Sequence, residues 1–138
     1  MKIKLINFGG LFPKRAHYND AGADVFANSE ITVGPGQIGK VPVGFGIILP
    51  DGFVGLVLPR SGMTTNNGIS AEPVPIDSGY TGEIHAILHN TNDYSITIKK
   101  NTKVAQLVIV PTVLADFVLD DSNLEKRGTG GFGSTGNY

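Results

Sequence analysis

The stretch "VPVGFGIILPDGFVGLVLPRSG", residues 41–62, sets two apolar runs on either side of Pro50-Asp51-Gly52. That tripeptide is a turn with a mechanism, since proline presets φ and glycine accepts positive φ. Residues 41–49 read as a candidate strand pair and 53–58 as the next strand. The same grammar runs outward in both directions. Residues 2–8 alternate, a loop follows through Pro13 to Gly22, and residues 31–33 meet a Gly34-Pro35-Gly36 turn. Downstream, residues 83–89, 95–99, 104–110 and 117–119 are further strand candidates. No window longer than about ten residues carries an apolar period of 3.6, while several carry a period of two. One helical turn is expected, after Ser61. Strands recurring every 8–12 residues or so predict an all-β sandwich, jelly roll or barrel.

Composition narrows the function. The 138 residues fit one domain with a genuine core. Eleven basic and twelve acidic residues leave a net charge of -1, which lacks the footprint of a protein that binds a nucleic-acid polymer. There is no cysteine, so disulfides and thiolate sites are excluded. No apolar stretch approaches the roughly 18 residues of a membrane span. Met1-Lys2-Ile3-Lys4-Leu5 alternates and is not a signal peptide. A cytoplasmic protein is expected, in the host cell's cytoplasm if the source is a virus. The nineteen glycines and eight prolines are spread along the chain, and they mark turns rather than low complexity.

Four internal stretches are richer in chemistry than ordinary turns. In Ala21-Gly22-Ala23-Asp24, small residues permit close backbone packing, and Asp24 suits either a metal-bound water or a turn amide. Pro59-Arg60-Ser61-Gly62 follows an apolar strand; its hydroxyl, free amides and fixed guanidinium fork suit a phosphate, or equally a plain helix cap. Asp77, in Pro75-Ile76-Asp77-Ser78-Gly79-Tyr80, is expected at a hairpin tip. An ionised carboxylate there could orient and deprotonate a water, and Tyr80 offers a flat face to a sugar. An unremarkable hairpin turn would look the same. Gln106, alone in an apolar strand, must pair its amide with backbone or with a ligand. His17, His85 and His89 show no metal-ligand spacing, and there is no G-x-S-x-G elbow for a serine nucleophile.

The C-terminal "EKRGTGGFGSTGNY", residues 125–138, spells G-x-G-x-x-G through Gly128, Gly130 and Gly133. A dinucleotide fingerprint needs a following helix and a downstream acidic ligand, and only five residues follow Gly133. The match is a decoy. The glycines instead suit a loose arm whose amides can approach phosphate.

Taken in order, Ala-Gly-x-Asp, Pro-Arg-Ser-Gly, Ile-Asp-x-x-Tyr-x-Gly-Glu-Ile, Ala-Gln-Leu and Arg-Gly-x-Gly-Gly-Phe-Gly-Ser-Thr-Gly resemble the five motifs of the homotrimeric dUTPase family. The resemblance runs from residue 21 to 136. It implies a distorted β jelly roll, a β-clip-like barrel over residues 1–124. Residues 125–138 would be a mobile arm, folding over an active site shared between three subunits. It implies hydrolysis of dUTP to dUMP and pyrophosphate by water attack on the α-phosphate, with Mg2+ as cofactor. This activity limits uracil in DNA and supplies dUMP for dTMP synthesis. Asp77 would activate the water and Tyr80 would pack on the deoxyribose. Arg60, Ser61, Gly62 and Gln106 would contact phosphates, and Asp24 would stand near the metal's water shell. From the arm, Arg127 would reach the terminal phosphate and Phe132 would cover uracil, while Gly133, Ser134 and Thr135 wrap phosphate oxygens. Ala71 and Ile76 complete the expected substrate-binding set.

Three departures from the motifs bear on detail. Val74 stands where a glycine is usual, and Lys103 where an arginine is usual, keeping the charge but losing the bidentate fork. Ala71 replaces an asparagine that reads uracil in many members, which shifts expectation toward main-chain recognition. A dCTP deaminase shares the fold, but wants a glutamate base where this chain offers Asp77. Some phage-encoded members resemble dUTP-responsive regulators of other proteins. The thirteen residues 64–76 leave no room for the insertion those often carry, although a regulatory partner stays open if the source is a phage.

Overall fold

The computed structural model describes residues 1–63 and 67–122. Their eleven strands are β1 (Lys4–Asn7), β2 (Ala23–Phe26), β3 (Ile31–Val33), β4 (Ile38–Pro42), β5 (Phe45–Ile48), β6 (Phe53–Leu58), β7 (Ile69–Glu72), β8 (Val74–Ile76), β9 (His85–Asn90), β10 (Ile96–Ile98) and β11 (Lys103–Pro111). All pairings are antiparallel. They form a four-stranded sheet in the order β2-β11-β6-β8, a three-stranded sheet β4-β9-β7, and two-stranded ribbons β1-β5 and β10-β3. The all-β class read from the sequence holds, with the jelly-roll-like arrangement of short strands exchanged between sheets. Among the described residues no helix is long and apolar enough to cross a membrane. The helical turn expected after Ser61 falls largely on residues 64–66, outside the described residues, and the arm read over residues 125–138 also lies outside them.

Alternation builds the core. Ala86, Leu88 and Asn90 in β9 point inward, opposite His85, Ile87 and His89. Val41, Val43, Phe45, Ile47, Val57 and Val104 fill the space between the sheets, and burying a branched or aromatic side chain of this size contributes about 1.5–3 kcal/mol. The buried polar residue Asn90 is satisfied, its amide donating to the carbonyls of Val33, Gly34 and Tyr94. A bulge in β11 between Lys103 and Ala105 breaks the alternation, so Val104 and Ala105 are both buried. Gln106 then comes opposite Asp24 on one side and Leu58 on the other.

Gly44 turns the corner from β4 into β5 with φ +78°, where a side chain would run into the backbone of Gly10. Its carbonyl accepts from the amides of Phe8 (3.0 Å) and Gly10 (3.1 Å).

Two expectations from the sequence are corrected. Residues 117–119 form no strand: Phe117 is 97% exposed, and the described chain after Pro111 joins no ladder. A short run of β-prone apolar residues there signals the capacity to pair, and a strand also needs a neighbour. The hairpin expected around Asp77 is not a hairpin either. β8 pairs with β6 while β9 pairs with β4 and β7, so residues 77–84 cross from one sheet to another without a ladder between their flanking strands. The strand read over residues 83–89 corresponds to β9, but its sequence carries no information on partners, and β8 was not read as a strand.

Candidate active site

Two groups of side chains stand out, one at each edge of the four-stranded sheet. The first gathers where β2 and β11 run beside the end of β6. Asp24 of β2 is largely covered. Its Oδ1 accepts from Arg60 Nε at 3.0 Å, and its Oδ2 lies 3.3 Å from Lys103 Nζ. Two cations meet on one carboxylate at the mouth of a cleft of about 350 Å³, which Asp20, Ser61, Gly22 and Gln106 also line. Because only Nε of Arg60 is engaged by Asp24, the two terminal amino groups of the guanidinium keep their donors. Gln106 Nε2 donates to the carbonyl of Pro59 at 2.8 Å and retains a second hydrogen. The glycine at position 22 is what admits this amide: a side chain there would occupy the position of Gln106 Oε1. Gly62 turns the segment after Ser61 with φ +82°.

Such an arrangement suits an anion with several oxygens. Charge, a planar donor fork, an amide and a hydroxyl converge without an apolar wall. As a metal centre it is less suited. Both oxygens of Asp24 already face cations, and among the described residues no group of three His, Asp or Glu side chains gathers to hold an ion. A hydrated Mg2+ held mainly by ligand phosphates needs no such cage.

The second group lies on the 77–84 connection. Asp77 is exposed, with its carbonyl accepting from the Tyr80 amide at 3.1 Å, and Ser78 Oγ donates to Asp51 Oδ1 at 3.1 Å. The Tyr80 ring lies across Gly82, and its hydroxyl donates to the Glu83 carbonyl at 2.7 Å. Asp77, Tyr80, Ile76, Val74 and His85 line a second cleft, of about 250 Å³. Ala71 and Ile76 are buried, so neither presents its side chain to solvent and their main-chain groups are what remains for a ligand. His85 Nδ1 donates to the Glu83 carbonyl at 3.1 Å, and His89 stands 3.9 Å from Glu72.

The two groups are not neighbours. Asp77 is level with Val54 and Asp24 with Leu58, so three strand spacings and four residues separate them, on the order of 20 Å within one chain. The structure thus brings Asp24, Arg60, Ser61 and Gln106 together, and Asp77 with Tyr80, but not one set with the other. Arg127, Phe132, Gly133, Ser134 and Thr135 lie outside the described residues. Two contributors escaped the sequence reading. Lys103, taken only as a variant of an arginine, completes the cation pair, and its place just before the Val104–Ala105–Gln106 strand was the available signal. Glu83 was taken for strand.

A family model described as dUTPase matches residues 10–136. The chain belongs to the dUTPase family. It is 39% identical over 142 residues to the deoxyuridine 5'-triphosphate nucleotidohydrolase of Clostridium tetani, covering 99% of this chain and 96% of that one. Among solved structures, the dUTPase of Staphylococcus bacteriophage 80alpha with dUPNHPP superposes with a TM-score of 0.90 at 26% identity, covering 99% of each chain. Phage dUTPases of that kind are described as controlling transfer of virulence genes by a proto-oncogenic G protein-like mechanism. A mutant dUTPase from phage phi11 of S. aureus coordinates a structural Mg(II) ion; it is similar at a TM-score of 0.83 with 23% identity, over 88% of this chain and 98% of that one. Within the dUTPase family, then, this member carries its cationic cleft and its carboxylate–tyrosine cleft on opposite edges of one sheet.

Proposed function

We propose that this protein is a dUTP diphosphatase, hydrolysing dUTP to dUMP and pyrophosphate in sites shared between the subunits of a homotrimer. The observation that carries this reading is the near full-length similarity to a nucleotidohydrolase of that specificity. The geometry supports it. The cationic cleft has the chemistry to hold a polyphosphate, and the Asp77–Tyr80 cleft has a base and a ring for the nucleoside end. Their separation within one chain favours a site assembled from two copies.

In this mechanism the exposed Asp77 carboxylate orients a water and takes its proton as the oxygen attacks the α-phosphorus. The bond from that phosphorus to the bridging oxygen breaks, and pyrophosphate leaves. Arg60, with its free amino groups, and Lys103 offset the charge on the phosphates, while Ser61, the Gly62 segment and Gln106 orient them. Asp24 holds the two cations in place, and it stands near any water shell of a metal rather than binding one itself. A Mg2+ ion bound to the triphosphate would neutralise charge on the departing pyrophosphate. Tyr80 packs on the sugar and leaves no room for a 2′-hydroxyl. Uracil is read by main-chain groups around Ala71 and Ile76. The arm, through Arg127, Phe132, Gly133, Ser134 and Thr135, closes over the nucleotide.

A nucleotide panel with pyrophosphate detection tests this. Release from dUTP is expected, with dTTP, dCTP and UTP poor. Asp77→Asn should lower turnover by about 10²–10⁴-fold, the usual contribution of a positioned base. Turnover close to the parent's would remove Asp77 from the role. A second, protein-binding function like that of the phage enzymes would be tested by capture with and without dUPNHPP.

A further inference from the structure

Glu83 touches neither the water nor the phosphates in the mechanism above, yet it is the point at which the 77–84 connection is fastened. The connection lacks a ladder of its own, because its flanking strands belong to different sheets. Its downstream end is instead stitched to the β4–β5 corner. The Val43 amide donates to the Ile84 carbonyl at 3.0 Å, and the Ile84 amide donates to the Phe45 carbonyl at 2.9 Å. Between them the Gly44 amide donates to Glu83 Oε2 at 2.8 Å. At φ +78°, with Gly10 packed against it, Gly44 has little freedom to move. The carboxylate therefore rests on one of the most constrained points of the backbone, through a charge-assisted hydrogen bond. The other end of the same residue faces the site: the Glu83 carbonyl accepts from the Tyr80 hydroxyl and from His85 Nδ1.

We propose that Glu83 is the positioning residue of the nucleoside half of the site, holding Tyr80 over the sugar so that a 2′-hydroxyl is refused. The inference rests on reading Asp77 and Tyr80 as that half of a dUTP site. In this arrangement the tyrosine hydroxyl is a tether and the ring is the discriminating surface. The side chain of Glu83 anchors to the core corner, its carbonyl anchors the ring, and the position of Tyr80 is transmitted from Gly44 through a single residue.

The test compares Glu83→Ala, Glu83→Gln and Tyr80→Phe by two readouts, amide hydrogen exchange and the ratio of kcat/KM for dUTP over UTP. Glu83→Ala should raise exchange at Gly44 and residues 78–82 at least about tenfold, with β9 and β11 unchanged. It should lower the dUTP/UTP ratio about tenfold, through a gain on UTP as well as a loss on dUTP. Glu83→Gln keeps an acceptor oxygen at the same reach and should stay within about threefold of the parent on both readouts. Tyr80→Phe, which leaves the Gly44 contact intact, should lower the ratio while Gly44 exchange stays put, and it decides the matter if the alanine variant does not fold. A parent-like exchange pattern in Glu83→Ala would overturn the proposal. So would an unchanged ratio in Tyr80→Phe, or a glutamine variant as impaired as the alanine one. If the parent itself fails to cleave dUTP, the substrate reading falls, while the exchange data still decide whether Glu83 holds the connection.

Discussion

A single hydrogen on Gly22 makes room for the side chain of Gln106, and that vacancy ties two distant motifs together. Gly22→Ala forces the amide off the Pro59 carbonyl. A rise in KM of about tenfold is expected, with smaller change in kcat, since a binding contact rather than the base is displaced. Steady-state kinetics on the substituted protein check this, and an unchanged KM would mean that Gln106 does not reach substrate. Part of this was legible. An amide alone in an apolar strand demands a partner, and one was found in Pro59. What could not be read was the ion pair of Asp24 with Arg60, because the two are 36 positions apart and nothing local in either segment specifies the other. Sequence spacing reports chemistry within a turn or a strand; pairing across a sheet is set by the fold.

At the scale of the strand, the bulge in β11 decides which way Gln106 faces. Period two alone, carried through from Lys103, would have set Val104 and Ala105 on opposite faces, whereas both are buried. Deleting Val104 removes the extra residue and leaves Lys103, Ala105, Gln106 and Leu107 alternating out and in against the same partners, so the later faces are kept. What is lost is the buried Val104 side chain. Such a protein should still unfold cooperatively by circular dichroism, at a lower Tm; loss of the cooperative transition would show that the bulge itself is required. The strands themselves were largely foreseen, since residues 31–33 and 53–58 fall where the turn residues placed them. Partners were not, and for that reason residues 77–84 looked like a hairpin. A turn sequence fixes the local bend, while the sheet each limb joins depends on where apolar faces elsewhere in the chain need covering.

The whole molecule follows from the 20 Å or so between the two clefts, a distance set by strand spacing and residue rise. If each site takes Asp77 from one copy and Arg60 from another, two inactive variants should rescue each other. Mixing Asp77→Asn with Arg60→Ala subunits after unfolding and refolding leaves about one site in four with both halves intact, and about a quarter of the parent turnover should return. Sites contained in one chain would return nothing beyond the sum of the two variants. Length foretold a single small domain and the turn spacing foretold its β class, and neither bears on how a site would divide between copies.

The exposed segment after β11 carries a cost for any copy that is alone. Val113, Leu114, Phe117, Val118 and Leu119 stand 78–97% exposed in the isolated chain. A run of this kind, rich in β-forming residues and flanked by free backbone, is what chaperones and aggregates capture first. If copies assemble as proposed, newly made ones are in a race between finding each other and being captured. The winner depends on how fast the chain is synthesised, so yield of active protein should fall when expression is driven harder and recover when it is slowed.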